Sequence, residues 1–158
     1  MFKIFNKSKV INILAPIDGE IIELLQVPDP VFAEKMVGDG VAIKPKGGKI
    51  IAPIKGKVIQ IFPTKHAIGI ESDNGVEILI HIGLDTVKLK GKGFTVLIEE
   101  GAKIEVGTPL VDVDWEYLKS QGICTDTPVI ITDPKDYKLE HINVKECIAG
   151  KTEIMLLK

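Results

Sequence analysis

Leu14-Ala15-Pro16-Ile17-Asp18-Gly19-Glu20-Ile21-Ile22 returns 37 positions later as Ile51-Ala52-Pro53-Ile54-Lys55-Gly56-Lys57-Val58-Ile59, with Ala, Pro, Ile and Gly kept in place. Proline removes a ladder donor and fixes φ, and glycine admits a tight turn. Held at a fixed spacing, the pair dictates one backbone path: an edge entry, then a turn into a strand. Two copies predict a duplicated, pseudo-symmetric β-sandwich in which each half repeats the same hammerhead-like turn.

The rest of the chain agrees with that class. Short β-branched runs recur: INILAPI, EIIELLQV, GVAIKP, KIIAPI, KVIQIF, AIGIES, VEILIHI, FTVLIE, PLVDVD, PVIIT and EIMLLK. Gly, Pro and Asp/Asn separate them at intervals near the 8–12 residues expected of a sandwich or barrel. Two stretches read as helical. One covers 30–37, with Asp29 as N-cap, Pro30 at the first helical position and Gly38 as stop; the other covers 115–121, between Asp114 and Gly122. No linker-like stretch divides the chain. Residues 1–9, MFKIFNKSK, lack the apolar core and cleavage site of a signal peptide. They are expected to form a short N-terminal arm ahead of one domain over 10–158, making at most peripheral membrane contact.

Two of the three histidines bracket the run HAIGIESDNGVEILIH, from His66 to His81. Asn74-Gly75 between alternating hydrophobics is a strong hairpin signal. A two-residue loop there pairs Asp73 with Val76, and sets His66 opposite Gly83 and His81 opposite Ile68. Both imidazoles then share a face as diagonal neighbours, with Cβ atoms roughly 7–8 Å apart or less. A three-residue loop would put them on opposite faces. On the two-residue reading the shared face also carries Ile68, Ile70 and Leu79. Thr64 precedes His66 by one same-face step, so its hydroxyl can hold that ring in one tautomer.

All 20 basic residues are lysine, and the net charge is −2. Arginine forks dominate bidentate phosphate and guanine recognition, so nucleic-acid binding is disfavoured. Any phosphate handled here must meet backbone amides, lysine or histidine. Cys124 and Cys147 lack metal-ligand spacing and suit free thiols in a reducing compartment. No apolar run reaches the ~20 residues of a membrane span, and a cytoplasmic location is expected.

The segments DPVFAEKMVGDGVAIKP (29–45), IFPTKHAIGI (61–70) and EILIHIGLDTVKLKGKGF (77–94) carry a resemblance. From about Val10 to Lys158 the chain resembles the glucose-type enzyme IIA, a phosphocarrier of the bacterial phosphoenolpyruvate-dependent sugar phosphotransferase system. The resemblance implies an antiparallel β-sandwich, a duplicated barrel-sandwich hybrid. It implies that His81 is phosphorylated by the small carrier HPr, with His66 as hydrogen-bond donor in the transition state and Thr64 orienting His66. The phosphoryl group then passes to a cysteine on the IIB domain of a sugar permease, with which the chain associates peripherally at the membrane. The chain is thus a phosphotransferase component acting through a phosphohistidine. Backbone N–H groups around Gly83–Asp85 are further candidate donors.

The partner surface implied by the resemblance is an apolar patch of Val31, Phe32, Val37, Phe62, Ile68 and Leu79, with Asp29 and Asp85 on an acidic rim. Phe32 is expected to be the exposed anchor. Regulated transporters or kinases are further partners the resemblance allows. No cofactor is required. His66 and His81 can also ligate zinc, but two ligands from one chain hold it weakly alone, so any zinc would be shared at an interface. Met1 and the lysine-rich start favour a free-standing subunit.

Two rival classes fare worse. The APxxG motif with EGAKIEVGTPL (100–110) looks like a biotinyl or lipoyl carrier, yet Lys35 lies in a helical segment and not in a hairpin turn. His81-Ile82-Gly83-Leu84-Asp85 resembles the zinc motif of lysostaphin-type metallopeptidases. The further His-x-His they need is missing, since His141 is followed by Ile142-Asn143.

Overall fold

The computed structural model describes residues 10–158; the expected arm, 1–9, lies outside them. The strands are β1 (Ile11–Leu14), β2 (Asp18–Glu23), β3 (Asp39–Gly47), β4 (Ile50–Ile51), β5 (Gly56–Ile61), β6 (Ala67–Ser72) and β7 (Glu77–His81), followed by β8 (Phe94–Val96), β9 (Lys103–Ile104), β10 (Pro109–Val113), β11 (Thr127–Asp133), β12 (Leu139–His141), β13 (Glu146–Cys147) and β14 (Glu153–Leu157). An eight-stranded sheet runs β13-β2-β3-β11-β7-β6-β5-β9. Two three-stranded sheets run β1-β14-β12 and β4-β10-β8. Every paired strand is antiparallel. The main core draws on all three sheets, for example Ile13, Ile50, Ile78, Leu110, Val129 and Ile154.

The expected duplication is present, and it has a topology. Read from either end, the large sheet matches β13 with β9, β2 with β5, β3 with β6 and β11 with β7. The second unit, β4 to β10, is inserted between β3 and β11 of the first. The two Ala-Pro turns meet and exchange equivalent hydrogen bonds: Leu14 N–H donates to Pro53 C=O at 3.0 Å, and Ile51 N–H to Pro16 C=O at 2.9 Å. Gly19 and Gly56 occupy matching positions for a shared reason. A Cβ would come within 2.2 Å of the Lys44 carbonyl at the first and 2.1 Å of the Glu71 carbonyl at the second.

The helices are short. α1 covers Pro30–Ala33, with Asp29 Oδ1 accepting from Val31 N–H at 3.0 Å. It stops well before residue 37 because Lys35 turns left-handed (φ 58°). α2 covers Trp115–Ser120, capped by Asp114, close to expectation. EIIELLQV does not continue as a strand: after Glu23 the chain makes a 3₁₀ turn over Leu24–Gln26. Leu24, Val27 and Phe32 then fold over Ala42 and Ile130, building a second, smaller core on the outer face of the large sheet. The corresponding connection in the other half, 62–66, is far shorter and covers little. One half of the outer face is therefore lidded, and the other is open where β7 ends.

Candidate functional site

At the open end, His66 and His81 stand with ring centroids 4.8 Å apart and planes at 79°. The route to this pairing differs from the sequence expectation. Ser72 pairs with Val76, so the hairpin loop has three residues, and Gly75 takes the left-handed φ of 89° that closes it. The register sets Ala67 opposite His81 and Ile68 opposite Ile80. In a regular ladder His66 would then point to the core face. It does not, because the strand has not yet begun. A turn from Phe62 to Lys65, with Lys65 at φ 64°, brings the chain round, and β6 starts only at Ala67.

The corrected register also moves Ile68 and Ile70 off the histidine face and into the main core. Ile68 is 1% exposed and cannot contribute to a partner patch. Leu79 does share the outer face with His81, half-buried against the second core. Phe32 is overturned as an exposed anchor. At 5% exposure it packs inside the second core, and its ring lies 4.8 Å from that of His81. Val31, the preceding residue on α1, is the exposed one, at 43%. Val37 is half-buried against the same core. Phe62 is half-buried and meets the His66 ring edge-on at 5.6 Å.

Each imidazole is held through one nitrogen. His81 Nδ1 lies 2.7 Å from the Gly83 carbonyl, which only accepts, so the neutral ring carries its proton on Nδ1. His66 Nδ1 lies 2.7 Å from Thr64 Oγ1. Neither Nε2 has a hydrogen bond, while no buried side-chain nitrogen or oxygen among the described residues lacks one. Both Nε2 atoms therefore reach the adjoining hollow. Its volume is about 210 Å³, and Asp29, Val31, Phe32, His66, His81, Asp85, Thr86 and Val87 line it. Thr86 and exposed Val87, on a 3₁₀ turn over Thr86–Leu89, were not singled out by the sequence, which carries no motif for them beyond their place after Asp85. Of the expected amide donors, Leu84 N–H is already committed to the Cys124 carbonyl at 2.9 Å.

Burial keeps both rings neutral. It pushes the His66 pKa from 6.5 down to about 4, with the nearby His81 adding to the shift. It also lowers that of His81, against the opposing pull of the Gly83 bond and the Asp29 and Asp85 carboxylates. The site thus offers a lone pair on His81 Nε2 beside a second imidazole in a half-apolar hollow. His66 and His81, the expected zinc ligands, stand side by side, but no group of three or more candidate metal ligands occurs among the described residues.

A double sandwich with two opposed imidazoles at an open sheet end suits group transfer between proteins, and sequence comparison defines the class. A family model for the phosphoenolpyruvate-dependent sugar phosphotransferase system, EIIA 1, matches residues 11–137, and the chain belongs to this family of phosphotransferase components. The PTS system glucose-specific EIIA component of Staphylococcus epidermidis is 44% identical over 158 residues, covering 97% of this chain and 95% of the relative. The PTS system glucose-specific EIICBA component of Staphylococcus carnosus is 47% identical over 144 residues, 91% of this chain and 21% of that longer protein. Among solved structures, the glucose permease IIA from Mycoplasma capricolum superposes with a TM-score of 0.89 at 42% identity, covering 96% of this chain and 98% of the other.

Proposed function

We propose that the chain is a phosphocarrier that takes a phosphoryl group from phospho-HPr onto His81 Nε2 and passes it to a cysteine of a permease IIB domain. The reading rests above all on one observation: the two imidazoles meet edge to face with both Nδ1 atoms engaged and both Nε2 atoms free. His81 Nε2 attacks phosphorus in line; the new N–P bond forms as the donor's P–N bond breaks, and the donor ring keeps that electron pair. Thr64 O–H donates to His66 Nδ1, leaving His66 Nε2–H to donate to an equatorial phosphoryl oxygen as charge builds between the rings. The Gly83 carbonyl keeps the Nδ1 proton on phosphorylated His81. On onward attack by a thiolate, the leaving group is then neutral imidazole and not imidazolide.

The surroundings suit protein partners. Exposed Val31 and Val87 line the hollow, half-buried Phe62 meets the His66 ring beside it, and Asp29 and Asp85 add charges that steer encounters. The names of the glucose-specific relatives point to a glucose-type system, and the EIICBA fusion to a IIB partner. No helix among the described residues is long and apolar enough to cross a membrane. With a permease IIB domain as its acceptor, the chain works at the cytoplasmic face of the membrane. Zinc enters only if a partner supplies the missing ligands.

The test is incubation with phosphoenolpyruvate, enzyme I and HPr, read by intact mass. The chain should gain about 80 Da, one acid-labile phosphoryl group. His81→Gln should gain nothing, while His66→Gln should still accept phosphate and pass it on more slowly. An unchanged mass for the unmodified chain would overturn the proposal.

A further inference from the structure

The two histidines hang from a single residue between them. Ile82 N–H donates to the His66 carbonyl at 2.7 Å, and the Ile82 carbonyl accepts from Thr86 Oγ1 at 2.7 Å. The next carbonyl along, that of Gly83, is the acceptor that holds His81 Nδ1. Gly83 has φ 73°, and a Cβ there would meet Thr86 Cγ2 at 2.8 Å, so only glycine fits beneath the threonine. Glycine permits both signs of φ, so the peptide between Ile82 and Gly83 could turn at little steric cost. Thr86 removes that freedom: it is 0% exposed, its hydroxyl clamps the Ile82 carbonyl and its methyl packs on Gly83.

We propose that Thr86 is a positioning residue for both imidazoles. Its hydroxyl fixes the peptide that links the Ile82 N–H, bound to the His66 carbonyl, to the Gly83 carbonyl, bound to His81 Nδ1. Without it, the buried Ile82 carbonyl has no partner and the peptide turns to find one. That turn changes φ of Gly83 and re-aims the following Gly83 carbonyl, which the Leu84 N–H bond to Cys124 alone then steadies; its bond to His81 Nδ1 weakens, and the His81 proton is free to sit on Nε2, where it blocks the attacking lone pair. The consequence for rate rests on the phosphocarrier reading; the consequence for the tautomer does not.

The test compares Thr86→Val, nearly the same size without the hydroxyl, with Thr86→Ser, which keeps it. Long-range proton–nitrogen NMR of the unphosphorylated proteins at neutral pH reports the His81 tautomer, and phosphotransfer kinetics report kcat and KM for phospho-HPr. Thr86→Val should show a mixed His81 tautomer and a kcat lower by roughly tenfold or more, with KM changed by less than roughly twofold. Thr86→Ser should keep the tautomer and most of the rate. If Thr86→Val does not fold, Thr86→Cys, with a thiol that donates only weakly, is read the same way. A hydroxyl-free variant that melts lower yet keeps the Nδ1–H tautomer and its kcat would reduce Thr86 to a structural role and overturn the inference. Should the unmodified chain take no phosphate, the phosphocarrier reading falls, and the tautomer comparison alone still decides for or against Thr86.

Discussion

Burial of His66 beside a second imidazole has a consequence for stability as well as for chemistry. Its pKa falls from 6.5 in an open chain to about 4 in the folded one. Between those values the unfolded chain binds a proton that the folded chain does not. Stability therefore rises with pH across that window, is fully present above about 6.5, and falls by at most about 3 kcal/mol as the pH drops to 4. Histidine titration followed by NMR should leave His66 neutral at pH 5; a ring charging near 6.5 would contradict its burial against His81. The importance of this pair was legible from the sequence, because two of three histidines bracket a hairpin signal. The expected two-residue loop does not bring them together. The hairpin loop holds three residues, and the rings meet because Lys65 bends the chain before β6 begins. A left-handed lysine has no sequence signature comparable to that of Asn-Gly.

Among the elements, α1 shows what a short helix conceals. DPVFAEK places Val31 and Phe32 side by side, and the sequence favoured the larger for exposure. The larger side chain is the buried one, since Leu24, Val27, Ala42 and Ile130 form a pocket over the open sheet face that an aromatic fills and a valine would not. That pocket comes from the 3₁₀ turn at Leu24–Gln26, which the β-branched run EIIELLQV disguises as strand. Phe32→Ala should therefore cost about 3–5 kcal/mol of folding stability, measured by denaturant unfolding. Val31→Ser should stay within about 0.5 kcal/mol and instead raise the KM for phospho-HPr. Equal stability losses at the two positions would mean that α1 is turned differently from the structure described.

Over the whole molecule, the Pro/Gly echo was enough to announce duplication, but not its arrangement. The repeat is visible only where both copies need the same proline and the same close-packed glycine. The later strands of each unit, β11–β14 and β7–β10, repeat only scattered residues: Gly107 and Gly150 donate to the carbonyls of Ala52 and Ala15, and Thr108 and Thr152 brace matching turns, too sparse a signal to reveal that one unit is inserted into the other. Gly19→Ala and Gly56→Ala offer a direct check, since each Cβ would press on a backbone carbonyl of the adjacent strand that cannot rotate away. Each should destabilise by more than about 2 kcal/mol, well above an exposed substitution. A loss at one glycine only would break the equivalence of the halves. The function sits where that equivalence fails: the long connection 24–38 lids one outer face, and the short connection 62–66 leaves the other open at His81.

The central claim, that His81 Nε2 accepts the phosphoryl group while Nδ1 stays protonated against Gly83, is tested most directly by nitrogen-15 and phosphorus-31 NMR of the phosphorylated protein at neutral pH. The account predicts a single phosphorus resonance coupled to His81 Nε2, with the His81 Nδ1 proton retained. Phosphorus bonded to His66, or to His81 Nδ1, would contradict it.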